Sequence, residues 1–247
     1  MNTYSRGLGE IPSNGVANEQ HHHRDVLQIF WRVSMGESIV LHQFEISPFC
    51  QKVAKALQHK GLPYRTVDYN GVNAAKAQTL SKVGKVPVLD IDGQRIQDST
   101  KIVRYLDQAY PDLPRLYPAD PLQRAQVELW EDWSDELLYW YEVYFRVNDP
   151  AALDAAVDLS VTGRPSYEKI LAKPLLKVGL KAQLFFQGLG KMAQADVEAE
   201  FLRHLDRIDL VLAASGWLVG IQKTIADIAV ATQLAEIART HVAMRQQ

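Results

Sequence analysis

The sequence predicts an α/β domain followed by an all-helical domain, and three observations carry that prediction. Residues 38–109 alternate short apolar runs with helical spacing, in the order strand, helix, strand, helix, strand, hairpin, strand, helix. Residues 110–121 hold four prolines and no periodicity, which reads as a linker. Beyond Pro121 helical spacing recurs without a convincing strand.

Residues 1–36 read as a flexible N-terminal extension. Gly7, Gly9, Pro12, Ser13, Asn14 and Gly15 make its first part turn-rich. His21, His22 and His23 stand adjacent with no second cluster, so they read as solvated chain and no metal site is expected. Val26, Ile29, Phe30 and Val33 fall at helical spacing, in a run too short to span a bilayer. Glu10, Glu19 and Asp25 argue against a transit peptide, and no secretory apolar core is present. Met35, just before the first strand, is available as a start of the functional chain.

The α/β domain is expected over residues 37–109. Ile39–Phe44 is its first strand pattern. Ser47 then caps a helix whose first position suits Pro48, with Val53, Ala54, Leu57 and Leu62 on the buried face. A hydroxyl, Ser47, and a thiol, Cys50, thus sit at a helix N-terminus, where unpaired N–H groups favour negative charge. Taken alone, these residues read equally well as a cap and a small buried hydrophobe. Tyr64–Tyr69 is the second strand, and Asn73–Leu80 a short helix or loop. Pro87 stands at the start of a third strand, a position where proline costs little. Asp92-Gly93 signals a hairpin into Arg95–Gln97, and Asp98-Ser99 caps a helix carrying Ile102, Val103, Leu106 and Ala109.

The all-helical domain is expected over residues 122–247. Leu122–Phe145 reads as one long helix with Leu129, Trp130, Trp133, Leu137, Trp140, Tyr141 and Tyr144 three or four apart. Packing is the reading for Trp130 and Leu137. Trp133 and Tyr141 stay open between packing and a substrate pocket. Asn148–Arg164 is ambiguous, and helices return over Ser166–Leu189 and Val197–Ala214. Thr224 and Asp227 have capping-box spacing before a further helix.

Composition bounds the function. The chain has 247 residues, 47% apolar and 23% charged, with a net charge of −2. That balance is ordinary for a globular chain and argues against nucleic acid as a partner. A single cysteine excludes an internal disulfide and a cysteine-rich metal site, and makes a reducing cytoplasm the expected compartment.

Ser-Pro-Phe-Cys after the first strand, Val-Pro before the third, Asp-Ser before the next helix and the late Thr/Asp box together resemble the glutathione transferase superfamily. The resemblance runs at motif level from Ser38 to Gln108 and more loosely beyond. It implies a thioredoxin-like domain with a mixed four-stranded sheet, then a helical domain, with glutathione as co-substrate. By it, the Val86 backbone pairs with the cysteinyl part of glutathione beside a cis peptide at Pro87. Asp98 and Ser99 receive the γ-glutamyl amine and carboxylate, Lys85 lies near the glycyl end, and Phe49 borders the site. Thr224 and Asp227 are structural.

Within the superfamily the pattern is most similar to the subgroup of type 2 membrane-associated prostaglandin E synthase, with serine in place of its first motif cysteine. A Ser47 hydroxyl cannot form a mixed disulfide but can stabilise a bound thiolate. The expected function is therefore a glutathione transferase attacking a small apolar electrophile held against the helical domain. Two alternatives remain: a thiol oxidoreductase or prostaglandin-isomerase-like enzyme using Cys50, and a non-catalytic binding or assembly module. The family is usually dimeric, so a homodimer is implied, although no feature of the sequence itself calls for one. The chain ends about one helix after the box, where family members usually continue, a departure that leaves the wall of the substrate pocket open in the sequence reading.

Overall fold

The computed structural model describes residues 39–240, and the expected flexible extension lies outside them. The described residues form one compact unit. Its sheet is built from β1 (Ile39–Gln43), β2 (Tyr64–Asp68), β3 (Val88–Ile91) and β4 (Gln94–Gln97). Their order is β2-β1-β3-β4, with β1 and β2 parallel and the other neighbours antiparallel. The mixed four-stranded sheet is as expected. Every residue of β1 is buried, as a central strand covered on both faces must be. Asp92 and Gly93 both take positive φ, 51° and 70°, the conformation a two-residue hairpin needs between β3 and β4.

Helix α1 (Pro48–His59) and helix α3 (Ser99–Ala109) pack together, with Val53, Ala56, Leu57, Ile102, Val103 and Leu106 fully buried. Between β2 and β3 a 3-10 turn (Gly71–Asn73) runs into the one-turn helix α2 (Ala74–Ala77).

The second half comprises α4 (Pro121–Trp133), α5 (Tyr139–Asn148), α6 (Pro150–Ser160), α7 (Tyr167–Gln187), α8 (Gln194–Ser215) and α9 (Ile225–Thr240). The long helix expected from Leu122 is interrupted: Ser134–Leu138 is a π turn joining α4 to α5. Such a turn takes more residues than an α turn and rotates the faces of the next helix. Leu138, not the expected Leu137, is therefore fully buried, while Leu129 is 69% exposed. The ambiguous stretch after Asn148 holds α6, whose start is set by Asp149 accepting from the N–H groups of Ala151 and Ala152 at 2.7 and 3.2 Å. No helix among the described residues is long and apolar enough to cross a membrane.

Helix α9 packs on α1, α4 and α5, so it joins the helical half to the sheet half. Its start is held by Asp227, which accepts from the Leu218 N–H at 2.8 Å, the Thr224 N–H at 2.7 Å and the Thr224 hydroxyl at 3.0 Å.

A second junction is ionic. Lys52 of α1 is 1% exposed, and its Nζ lies 3.0 Å from Glu131 Oε1, 2.5 Å from Asp135 Oδ2 and 3.4 Å from Thr100 Oγ1. Glu131 also accepts from the hydroxyls of Thr100 at 3.0 Å and Tyr117 at 2.8 Å. Burial alone would push the Lys52 ammonium down. Asp135 and Glu131 outweigh it, so its pKa lies above the ordinary value. Burial raises the Asp135 carboxyl to about 6, with Lys52 opposing the rise.

These two junctions set two stability outcomes. Asp227→Ala removes the acceptor of three hydrogen bonds and should cost about 2–3 kcal/mol in urea unfolding, against about 1 kcal/mol for Thr224→Ala. Lys52→Met leaves the buried Glu131 carboxylate without its cation, which should cost about 3–5 kcal/mol. The double variant Lys52→Met/Glu131→Gln should recover part of that loss, and a purely additive double variant would contradict the coupling.

Candidate functional site

Ser47 stands where β1 has ended and α1 begins. Its backbone is extended, at φ −86° and ψ 118°, and its Oγ accepts from the Cys50 N–H at 3.4 Å, the bond expected of an N-cap. The hydroxyl keeps its own proton to donate, because capping uses only a lone pair. Cys50 is fully buried, and burial lifts its thiol to about 12. A thiol so placed stays protonated at neutral pH, and its sulfur is closed to solvent.

The segment before Ser47 is gripped from the helical half. Arg239 NH2 donates to the Glu45 carbonyl at 3.2 Å, and Arg146 NH2 reaches the Ile46 carbonyl at 3.5 Å. Both arginines are paired to Glu236, at 3.0 and 3.7 Å, and Arg146 also to Glu142. Burial raises the Glu142 carboxyl to about 8, with Arg146 opposing.

A polar cavity of about 450 Å³ lies nearby, bordered by Phe49 two residues on; Ser47 and Cys50 are not among the residues that line it. Phe49, Lys85, Val86, Pro87, Asp98 and Ser99 all line it. The sequence scatters these six residues over three elements; the fold brings them together. The Val86–Pro87 peptide is cis, as the resemblance implies. Phe49 leans on Tyr139 of α5, ring centroids 5.0 Å apart.

Asp98 holds φ at +83°, a region that favours glycine, while its Oδ1 accepts from the Lys101 N–H at 3.1 Å. A non-glycine residue held there costs on the order of 1–3 kcal/mol, and such residues cluster at binding sites. This conformation puts Ser99, largely buried, at the first turn of α3, whose N–H groups and dipole suit a carboxylate. Asp132, Asp135 and Glu136 of the helical half also line the cavity, with Arg104 and Thr100 of α3, and Asp135 is at the same time the partner of Lys52. The wall of the cavity therefore combines a helix turn that favours an anion with carboxylates of Asp98, Asp132 and Glu136 that favour a cation.

Neither of the two aromatic candidates lines this cavity. Tyr141 is 4% exposed and packs on Phe201 and His204, each at 5.4 Å between centroids, so burial makes it a packing residue. Trp133 packs edge-on against Trp130 and His204, at 5.4 and 5.3 Å, and borders a separate concavity between α4 and α8. Sequence reasoning missed Asp132, Asp135, Arg104 and the buried Lys52. For Lys52 a signal existed: it lies three residues after Phe49 and four before Ala56, so a charge interrupts the buried stripe of α1. For the grip of Arg146 and Arg239 there was none, since the carbonyls they reach, of Ile46 and Glu45, lie 100 and 194 positions away in the chain.

Comparison with known proteins bears on the same half. Residues 41–114 match the family model of the glutathione S-transferase N-terminal domain. Glutathione S-transferase U10 of Arabidopsis thaliana is 31% identical over 105 residues, which is 41% of this chain and 44% of the plant protein. A glutathione S-transferase of Pseudomonas putida is 35% identical over 107 residues, 43% of this chain and 45% of that protein. The matched stretch thus spans under half the length of these relatives. The crystal structure of a glutathione S-transferase from Rhodospirillum rubrum F11 superposes with a TM-score of 0.54 at 26% identity, covering 81% of this chain and 77% of that one. Residues 41–114 are therefore similar in sequence to the glutathione S-transferase N-terminal domain, and the described residues share the fold of the Rhodospirillum rubrum structure, a thioredoxin-like half followed by a helical half.

Proposed function

We propose that the protein is a glutathione transferase. The observation that carries this reading is the polar cavity bordered by Phe49, Lys85, Val86, Pro87, Asp98 and Ser99. Glutathione lies along it, with its cysteinyl part on the Val86 backbone. Its γ-glutamyl amine and carboxylate meet Asp98 and Ser99 at the first turn of α3, and its glycyl end lies near Lys85. Ser47 donates a hydrogen bond to the glutathione sulfur and so favours the thiolate, which then attacks a small apolar electrophile. Residues 37–109 supply the glutathione side of the cleft, residues 110–121 the connection, and residues 122–247 the electrophile side.

In motif the chain stays nearest the prostaglandin-synthase-like subgroup, with Ser47 changing the chemistry. The buried, protonated thiol of Cys50 weighs against the redox alternative. A homodimer is supported by the exposed Leu122 and Leu129 of α4, which offer a second copy an apolar surface.

Ser47→Ala should raise the apparent pKa of the bound glutathione thiol and slow conjugation at neutral pH. Thiolate absorbance against pH reads the first, and an unshifted pKa in the wild-type complex would sink the mechanism. Cys50→Ser should leave conjugation nearly intact, and iodoacetamide should label Cys50 in urea but not in the native protein at pH 8. Ser99→Ala should weaken glutathione binding by about 1.5–3 kcal/mol in calorimetry, with little change in kcat, because the contact is made equally in ground and transition states.

A further inference from the structure

Helix α7 touches the rest of the molecule along a narrow row. Of its residues only Glu168, Leu180 and Leu184 are buried, at separations that are multiples of four. It packs on α5, α6 and the 3-10 turn Leu189–Lys191. Its start is fixed by Glu168, which accepts the Val72 N–H at 2.9 Å and pairs with Arg164. A Cβ on Gly71, which has φ +60°, would collide with that carboxylate. The helix is therefore held in place with most of its surface turned outward.

That outward surface is apolar. Ile170, Leu175, Val178 and Phe186 are 76%, 73%, 69% and 85% exposed, and Tyr167, Leu171 and Phe185 are exposed as well. Tyr167, Leu171, Leu175, Val178 and Phe185 follow at steps of three, four or seven, so they share one stripe of the helix. A helix of a globular protein turns such a stripe toward the core; α7 buries a different row and leaves this one uncovered. Val72 and Met192, exposed beside the start and past the end of α7, extend the face. The helix has 21 residues, which makes the stripe about 30 Å long. An uncovered apolar surface of that extent marks a docking site.

Charge selects the occupant. Residues 165–192 carry five lysines and one acidic residue, Glu168, in a chain whose net charge is −2. Lys169 and Lys173 pair with Asp158 and Asp154 of α6. Lys177 and Lys181 are exposed and have no acidic partner among the described residues. Lys181 lies three residues after Val178 and four before Phe185, at the edge of the apolar stripe. Lys191 stands over the Phe185 ring, 4.3 Å from its centroid. A second copy would bring the same lysines to this face with no free acid to meet them, so like charges oppose self-association. The face is also convex, being one side of a single helix, so its partner is flat or concave. A flat, anionic surface with carbon beneath it satisfies the stripe and the lysines together.

We propose that α7 docks the protein on the surface of a bilayer containing anionic phospholipids. The helix lies in the plane of that surface. Ile170, Leu175, Val178 and Phe186 enter the boundary between headgroups and acyl chains, and Lys177, Lys181 and Lys191 meet the lipid phosphates. The lysine stems run along the apolar stripe while their ammonium groups stay at the level of the headgroups. This docking does not depend on the transferase reading.

Vesicle co-flotation of the full chain tests this, with phosphatidylcholine alone and with phosphatidylcholine and phosphatidylserine in a two-to-one ratio. Binding to the mixed vesicles should be at least about tenfold tighter than to phosphatidylcholine, and high salt should weaken it. Lys177→Gln/Lys181→Gln should weaken it further, by about fivefold per lysine. Ile170→Ser/Phe186→Ser should weaken binding to the mixed vesicles by at least about tenfold. Both double variants replace exposed side chains, so each should melt within a few degrees of wild type. An environment-sensitive fluorophore on Phe186→Cys gives a reading that needs no weakened variant: its emission should rise with mixed vesicles and stay flat with phosphatidylcholine, Cys50 being buried and unlabelled. Equal binding to the two compositions, or binding untouched by both double variants, overturns the proposal. So does a failure to bind the mixed vesicles, which would leave the face to a protein partner. A concentration-dependent dimer in sedimentation that Ile170→Ser/Phe186→Ser dissociates overturns it too, since a second copy would then cover the face.

Discussion

The burial of one ammonium group constrains how the two halves of the molecule meet. Lys52, on α1, is enclosed by Glu131, Asp135 and Thr100. A charge that deep is tolerable only while its partners stay in place. α4 and the π turn after it must therefore keep their station against α1. Glu131 extends the constraint to Tyr117 in the connecting segment and to α3 through Thr100. Buried ion pairs are weak sources of net stability, but they penalise any arrangement that separates them. Here the penalty enforces one alignment of the helical half on the sheet half, and with it the shape of the cleft.

That alignment has consequences for the polar cavity and for the segment that leads into Ser47. The π turn that delivers Asp135 to Lys52 also carries Asp135 and Glu136 into the wall of the polar cavity. Arg146 and Arg239, from α5 and α9, reach the carbonyls of Ile46 and Glu45 respectively, just before the proposed hydroxyl donor. Ser47 is thus held by its own helix cap from one direction and by backbone contacts to the helical half from the other. Holding a hydroxyl between rigid supports limits the motion that would otherwise weaken any hydrogen bond it donates. Helix α7 contributes differently, since it closes an apolar space against the turn after β2 through Glu168 and Gly71.

Much of this was legible in the residues. Ser47-Pro48, Asp92-Gly93, Asp98-Ser99 and Thr224-x-x-Asp227 act through neighbours two or three positions away, so their geometry is written locally. The strand patterns of β1 to β4 and the helical spacing after Pro121 report which faces are buried, and burial follows periodicity. One local signal failed at the π turn: periodicity assumes a constant residue count per turn, so it selected Leu137 where the structure buries Leu138.

The sequence by itself determined the order of elements, the helix caps, the hairpin and the motif residues around the polar cavity. Only the tertiary structure decided which residues meet. Lys52 and Asp135 are 83 positions apart, and Arg239 and Glu45 are 194 apart. The assignment of Tyr141 to packing likewise depends on neighbours, Phe201 and His204, that no local pattern names. Charge pairing, burial and cavity shape are properties of contacts across the fold, and a contact between distant residues leaves no periodic trace in the chain.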